Sequence, residues 1–168
     1  MNHSLPSSAS GPLSGLKVIE LGQLIAGPFA AKTLADFGAD VIKIEPPDGG
    51  DPLRQWRLVK DGTSVWWQVQ SRNKRSVGLD LKTAEAQDLV RRLASQADVL
   101  IENFRPGAME AWGLGPEVLM AQNPRLIMLR VSGYGQSGPA LPQRQIGGAD
   151  PVVSGCDAPC AQLQHHGF

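Results

Sequence analysis

The chain has 168 residues, 42% of them hydrophobic and 19% charged, with sixteen Lys and Arg balanced by sixteen Asp and Glu. That length predicts one domain with a real core. The balanced charge supplies no field to recruit nucleic acid or an anionic membrane, and no apolar run is long enough to span a bilayer. A soluble cytoplasmic protein is the expectation.

The opening "MNHSLPSSASG" (1–11) is small and polar, without the basic start and apolar centre of a signal peptide, and reads as a disordered tail. "LKVIEL" (16–21) is a short apolar run ended by Gly22, hence a buried strand. After "GQLIAGP", Phe29, Thr33, Leu34 and Phe37 fall at helical spacing, with Gly38 as a stop. "DVIKIEPP" (40–47) predicts a second strand, closed by paired prolines that cannot continue a ladder. A long irregular stretch follows with three of the four tryptophans, Trp56, Trp66 and Trp67; loops of that length are more often functional than idle.

"SVGLDL" (76–81) returns to strand character. Thr83 then caps a helix, "AEAQDLVRRLASQA", with Glu85 in its first turn and an apolar stripe of Ala86, Leu89, Val90, Leu93 and Ala97. "DVLIENF" is the next strand, followed by two short helices around "GAMEAWG" and "PEVLMAQ". "RLIMLRVSGYGQSGP" supplies a last strand and a Gly-rich exit. Alternating helices and apolar strands predict an α/β fold, a Rossmann-like parallel sheet with helices on both faces. After Arg144 no period is discernible, and residues 145–168 are expected to form an irregular tail foreign to the fold, the product of a truncation or frame shift. Both cysteines lie in it, so no disulfide supports the main body.

Open parallel sheets bind ligands beyond the carboxyl ends of their strands, so "GQLIAGP", "EPPDGGDP", "NFRPGA" and "SGYGQSGP" gather along one rim. None is a dinucleotide fingerprint or a phosphate-cradling P-loop. Pro28 at a helix start leaves neighbouring N–H groups free to face an anion. Arg72, Lys74, Arg75 and Lys82 form either a solvated charged face or a phosphate site, and the three tryptophans either pack in the core or stack on a purine. At the end of the fourth strand, Asn103 can donate and accept, Phe104 offers a flat face and Arg105 reaches phosphate, unless it is a salt-bridged surface arginine. No Ser-His-Asp arrangement or G-x-S-x-G elbow can be argued. Cys156, Cys160, His165 and His166 have poor spacing for zinc, so no metal is expected.

The stretches "PLSGLKVIELGQLIAGPFAAKTLADFGADVIKIEPPDGGDPLR", "NKRSVGLDLKT", "ADVLIENFRPGAMEAWGLG" and "NPRLIMLRVSGYGQSGP" occur in the order and spacing of one family. From about residue 12 to about 140 the chain resembles the class III CoA-transferases, which include formyl-CoA transferase and the carnitine and bile-acid CoA-transferases. The resemblance implies coenzyme A as ligand, an acyl-CoA and a carboxylic acid as substrates, and residues 12–144 as the CoA-binding domain. Carried over by position, Asn103, Phe104 and Arg105 form one CoA-contacting turn; Leu79, Asp80, Leu81 and Lys82 form a second; Ala26 belongs to a third. It further implies an interlocked homodimer of longer chains, relative to which this fold is incomplete and exposes apolar surface meant for coverage.

Departures from the family pattern are Ala111, where some relatives are basic, and Pro46, where formyl-CoA transferase has arginine. The family's nucleophilic aspartate, which carries the acyl group as a mixed anhydride and then CoA as a thioester, would lie beyond Phe168. Asp150 and Asp157 lack its context, and the chain alone is expected to be inactive. The alternatives are a non-catalytic module that holds CoA or a nucleotide, and a metal-binding or interaction role for the tail.

Overall fold

Each strand of the central sheet sends alternate side chains to opposite faces, and each face is covered by helix. The computed structural model describes residues 11–133, 135, 136 and 160–164. Strands β1 (Lys17–Glu20), β2 (Asp40–Glu45), β5 (Lys74–Gly78), β6 (Val99–Glu102) and β7 (Ile127–Ser132) are parallel, in the order β5-β2-β1-β6-β7. β8 (Cys160–Gln164) pairs antiparallel with β7 at the edge, in a stretch where the sequence suggested no element. The expected tail 1–11, Gly11 excepted, and the rest of 145–168 lie outside the described residues.

On one face Ile19, Leu21, Ile44, Leu100 and Met128 pack against α3 (Ala84–Ala94), α4 (Ala108–Ala111) and α5 (Pro116–Gln122) through Val90, Met109 and Leu119. On the other, Val18, Val41, Val99 and Ile101 pack against Ala31 and Ala35 of α1 (Ala26–Asp36). The alternation Val18/Ile19 and Leu100/Ile101 is the period-two pleat, each strand feeding both cores. The order runs from β1 through β2 to β5 on one side and from β6 to β7 on the other, so the strand order reverses between β1 and β6, a topological switch point.

Several expected elements differ in the structure. α1 starts at Ala26 rather than Phe29, because Gly27 and Pro28 occupy the first turn, where a missing N–H costs nothing. β5 covers 74–78, not 76–81: Leu79 N–H still reaches the Glu45 carbonyl (2.9 Å), but Asp80 then turns the chain, its side chain accepting from Lys82 N–H (3.0 Å). β5 is an edge strand, largely exposed, so its polar residues do not break the pattern of apolar inner strands. The stretch read as irregular contains a 3-10 turn at Pro52–Gln55, a hairpin of β3 (Val59–Lys60) and β4 (Thr63–Ser64), and helix α2 (Val65–Gln70), capped by Ser64 Oγ. Thr83 caps α3 as expected, accepting from Ala86 N–H (3.3 Å), although the helix ends at Ala94.

Candidate functional site at the β1–β6 switch point

The loops after β1 and β6 are fastened to each other. Asn103, one residue past β6, accepts from Gln23 N–H (2.7 Å) through Oδ1 and donates to the Gln23 carbonyl (2.9 Å) through Nδ2. Within the β1–α1 loop the backbone folds back so closely that a Cβ on Gly22 would lie 2.7 Å from Gly27 Cα, and one on Gly27 would lie 2.8 Å from Gly22 Cα. In the sequence Asn103 reads as a ligand-facing amide. Its amide instead clamps the loop, leaving one N–H and one lone pair for anything else.

Beside this clamp is a cavity of ≈120 Å³ whose lining includes Leu21, Gln23, Ile44, Leu79, Leu81, Phe104 and Trp112 together with the polar Glu45, Asp80 and Lys82. Phe104 and Trp112 meet edge to face at 5.1 Å. A second, more polar cavity of ≈310 Å³ adjoins it, sharing Glu45 and Pro46 and including Arg54 and Ser76. The structure thus brings Leu79, Asp80, Leu81, Lys82 and Phe104 together. Asn103 stands one residue from Phe104 and one bond from the cavity-lining Gln23. Ala26 is half-buried at the start of α1, next to Gly27 in the same crossing. Arg105 is exposed and makes no ion pair among the described residues.

Two groups from the sequence reading lie elsewhere. Arg72 pairs with Asp36 (3.2 Å), Arg75 with Asp40 (2.6 Å) and Lys74 with buried Glu20 (2.7 Å), so of that cationic cluster only Lys82 faces the cavity. Trp56 meets Trp66 edge to face at 5.5 Å, and Arg54 and Arg57 stack on Trp67 and Trp56 at 3.8 and 4.5 Å. The tryptophan at the cavity is the fourth, Trp112. Its signal was its place in "NFRPGAMEAWG", eight residues after Phe104 and just past the short helix α4.

Beneath the rim runs a buried ionic layer. Lys43 Nζ donates to Glu20 Oε1 (2.9 Å) and the Gly22 carbonyl (2.7 Å) and pairs with Asp51 Oδ2 (2.8 Å). Lys74 Nζ pairs with Glu20 Oε2 and donates to the Pro28 carbonyl (2.8 Å); burial draws its pKa down against the pull of Glu20. Glu20 Oε2 and Asp51 Oδ2 receive no hydrogen bond of good geometry, and these ion pairs satisfy them.

Glu45 receives Arg54 through two bonds (2.8 and 2.7 Å), Asp51 N–H (2.7 Å) and Ser76 Oγ. Burial alone would raise the Glu45 pKa; these donors outweigh it and bring the carboxyl down to about 2. Across the sheet Glu102 accepts from Arg130 Nε (2.7 Å) and from Phe104 N–H (2.7 Å), which fixes the backbone of the aromatic residue at the cavity. Burial raises the Glu102 pKa against the lowering effect of Arg130.

Comparison with known proteins supplies the family context. The family model described as CoA-transferase family III matches residues 13–161, running on past Arg144. The chain is 51% identical over 148 residues to succinyl-CoA–D-citramalate CoA-transferase of Chloroflexus aurantiacus, covering 88% of this chain and 37% of that protein. It is 46% identical to succinate–glutarate CoA-transferase of Agrobacterium fabrum, covering 86% and 37%. Among solved structures it is similar to a CAIB/BAIF family protein from Brucella suis, with a TM-score of 0.73, 44% identity, and coverage of 78% of this chain and 36% of that one. The chain spans little more than a third of the length of these relatives.

Proposed function

Because the chain belongs to CoA-transferase family III, we propose that it is the amino-terminal, CoA-binding part of an enzyme that moves CoA from an acyl-CoA to a carboxylic acid. The observation that carries this reading is the convergence of Leu79–Lys82, Phe104 and Trp112 on one cavity at the carboxyl ends of the strands. At ≈120 Å³ it is smaller than the roughly 300–1,000 Å³ typical of a site for a whole ligand, so it takes one end of CoA. Its lining is apolar and aromatic, which suits the adenine ring. Lys82 and Arg105, exposed and without carboxylate partners among the described residues, face the phosphates. α1 has no side-chain cap, so the N–H groups around Ala26 are available to the pyrophosphate.

In this proposal these residues bind and orient CoA and exclude water from its ring. The carboxylate that attacks the acyl-CoA thioester, releasing CoA sulfur to form a mixed anhydride, comes from outside these 168 residues. Turnover therefore needs further chain and a homodimeric partner, in the cytoplasm. Leu58 and Phe29, 68% and 55% exposed, are surfaces such a partner would cover.

Titration calorimetry with coenzyme A tests the reading. Binding that weakens for dephospho-CoA, which lacks the 3′-phosphate, is the expected result; equal affinity for both, or no heat with either, would contradict it.

A further inference from the structure

Three consecutive residues of the β1–α1 loop are each held by a side chain from a different part of the fold. The Gly22 carbonyl accepts from Lys43 of β2 (2.7 Å), both backbone groups of Gln23 bind Asn103 after β6, and Leu24 N–H donates to Asp51 Oδ1 (3.0 Å) from the loop after β2. Leu24 needs such a hold: its φ is 61°, in the left-handed region that a branched aliphatic residue seldom occupies. Asp51 is completely buried and pairs with Lys43 through Oδ2 (2.8 Å). Oδ1 also accepts from Leu53 N–H (2.9 Å), and its own N–H donates to Glu45 (2.7 Å). Burying a carboxylate is costly unless it is paired and hydrogen-bonded, and Lys43 supplies that pairing.

We infer that Asp51 is a positioning residue for the ligand site: through Oδ1 it keeps Leu24 left-handed and so fixes Gln23 against the cavity and the start of α1 against the rim. This inference rests on the CoA-binding reading for its functional half and on the loop geometry for its structural half. Lys43 orients the carboxylate, and the hydrogen bond from Leu24 does the holding. Asparagine at 51 keeps one accepting oxygen for the Leu24 amide, while an NH2 group replaces the charged Oδ2 that pairs with Lys43; alanine loses both oxygens.

The test compares wild type, Asp51→Asn and Asp51→Ala by hydrogen exchange at the Leu24 amide and by calorimetry with coenzyme A, well below each protein's Tm. In Asp51→Ala, protection of the Leu24 amide should fall by about a hundredfold and CoA affinity by about tenfold. Asp51→Asn should retain protection and bind CoA within about threefold of wild type, although its Tm falls. A merely structural aspartate would lower Tm in both variants and leave CoA affinity alike. Unchanged protection at Leu24 in Asp51→Ala, or wild-type CoA affinity once protection is lost, would overturn the inference. Should Asp51→Ala not fold, Asp51→Asn decides, since loss of Leu24 protection there would show that charge and not the hydrogen bond holds the loop. If wild type binds no CoA, the CoA reading fails, and the exchange measurement still judges whether Asp51 fixes the loop.

Discussion

Replacing Gly27 by alanine sets two physical effects against each other. Gly27 lies in the first turn of α1, where alanine should favour the helix by up to about 1 kcal/mol. Yet the new Cβ would sit 2.8 Å from Gly22 Cα and 3.3 Å from Asn103 Oδ1, whereas unstrained carbon contacts lie near ~3.5–4.0 Å. The near neighbour is backbone and cannot rotate away, so the start of the β1–α1 loop and the first turn of α1 must part by roughly 0.7 Å. Overpacking of that kind costs about 1–3 kcal/mol, and it also stretches the 2.7 and 2.9 Å bonds between Asn103 and Gln23, each worth about 1 kcal/mol. The steric effect wins. The expected result is a net loss of about 2 kcal/mol, which at this chain length lowers Tm by roughly 4–8 °C, together with weaker CoA binding. Thermal unfolding followed by circular dichroism, with calorimetry on the same sample, measures both. A Gly27→Ala protein with a raised Tm and unchanged CoA affinity would refute the reasoning, because helix propensity would then have prevailed over the close crossing.

Other consequences are equally direct. Phe104→Ala removes one wall of the cavity and the edge-to-face partner of Trp112, and should weaken CoA binding about tenfold by calorimetry. Glu45 has a folded-state pKa of about 2 against an ordinary 4.5, so its stabilisation is fully present above the unfolded value and is lost as pH falls from about 4.5 to about 2. Urea midpoints across that window should drop for wild type and stay nearly level in this respect for Glu45→Gln. Lys43→Met leaves Glu20 and Asp51 buried without their shared cation and should cost about 3–5 kcal/mol in urea unfolding, far more than removal of the exposed Arg75, whose partner Asp40 stays in water.

The inner strands and α3 were legible because their signals are local and repeated. An apolar run such as "LKVIEL", or a threonine followed by the stripe Ala86, Leu89, Val90 and Leu93, specifies its element with little help from the rest of the chain. α2 was not legible, since six residues containing two tryptophans and two valines give no period and are held in a helix by the Ser64 cap and neighbouring loops. That the loops after β1, β2 and β6 share one edge was legible, because strand polarity in a parallel sheet dictates it.

Individual roles were less accessible. Lys74 reads in sequence like any cation near Arg72 and Arg75, and only the register that sets β5 beside β2 reveals that it lies buried against Glu20. Asn103 looks like a ligand-facing amide until Gln23, eighty residues earlier in the chain, is seen to occupy both ends of it. Aspartate 51 shows nothing in "GGDP" beyond a turn residue; its burial and its bond to Leu24 arise from tertiary structure alone.

The most direct test of the account is an amide chemical-shift titration of the chain with coenzyme A. Shifts concentrated at residues 22–27, 79–82, 103–105 and 112 are predicted. Shifts concentrated instead on the hairpin and α2, residues 57–70, with the rim unmoved, would contradict it.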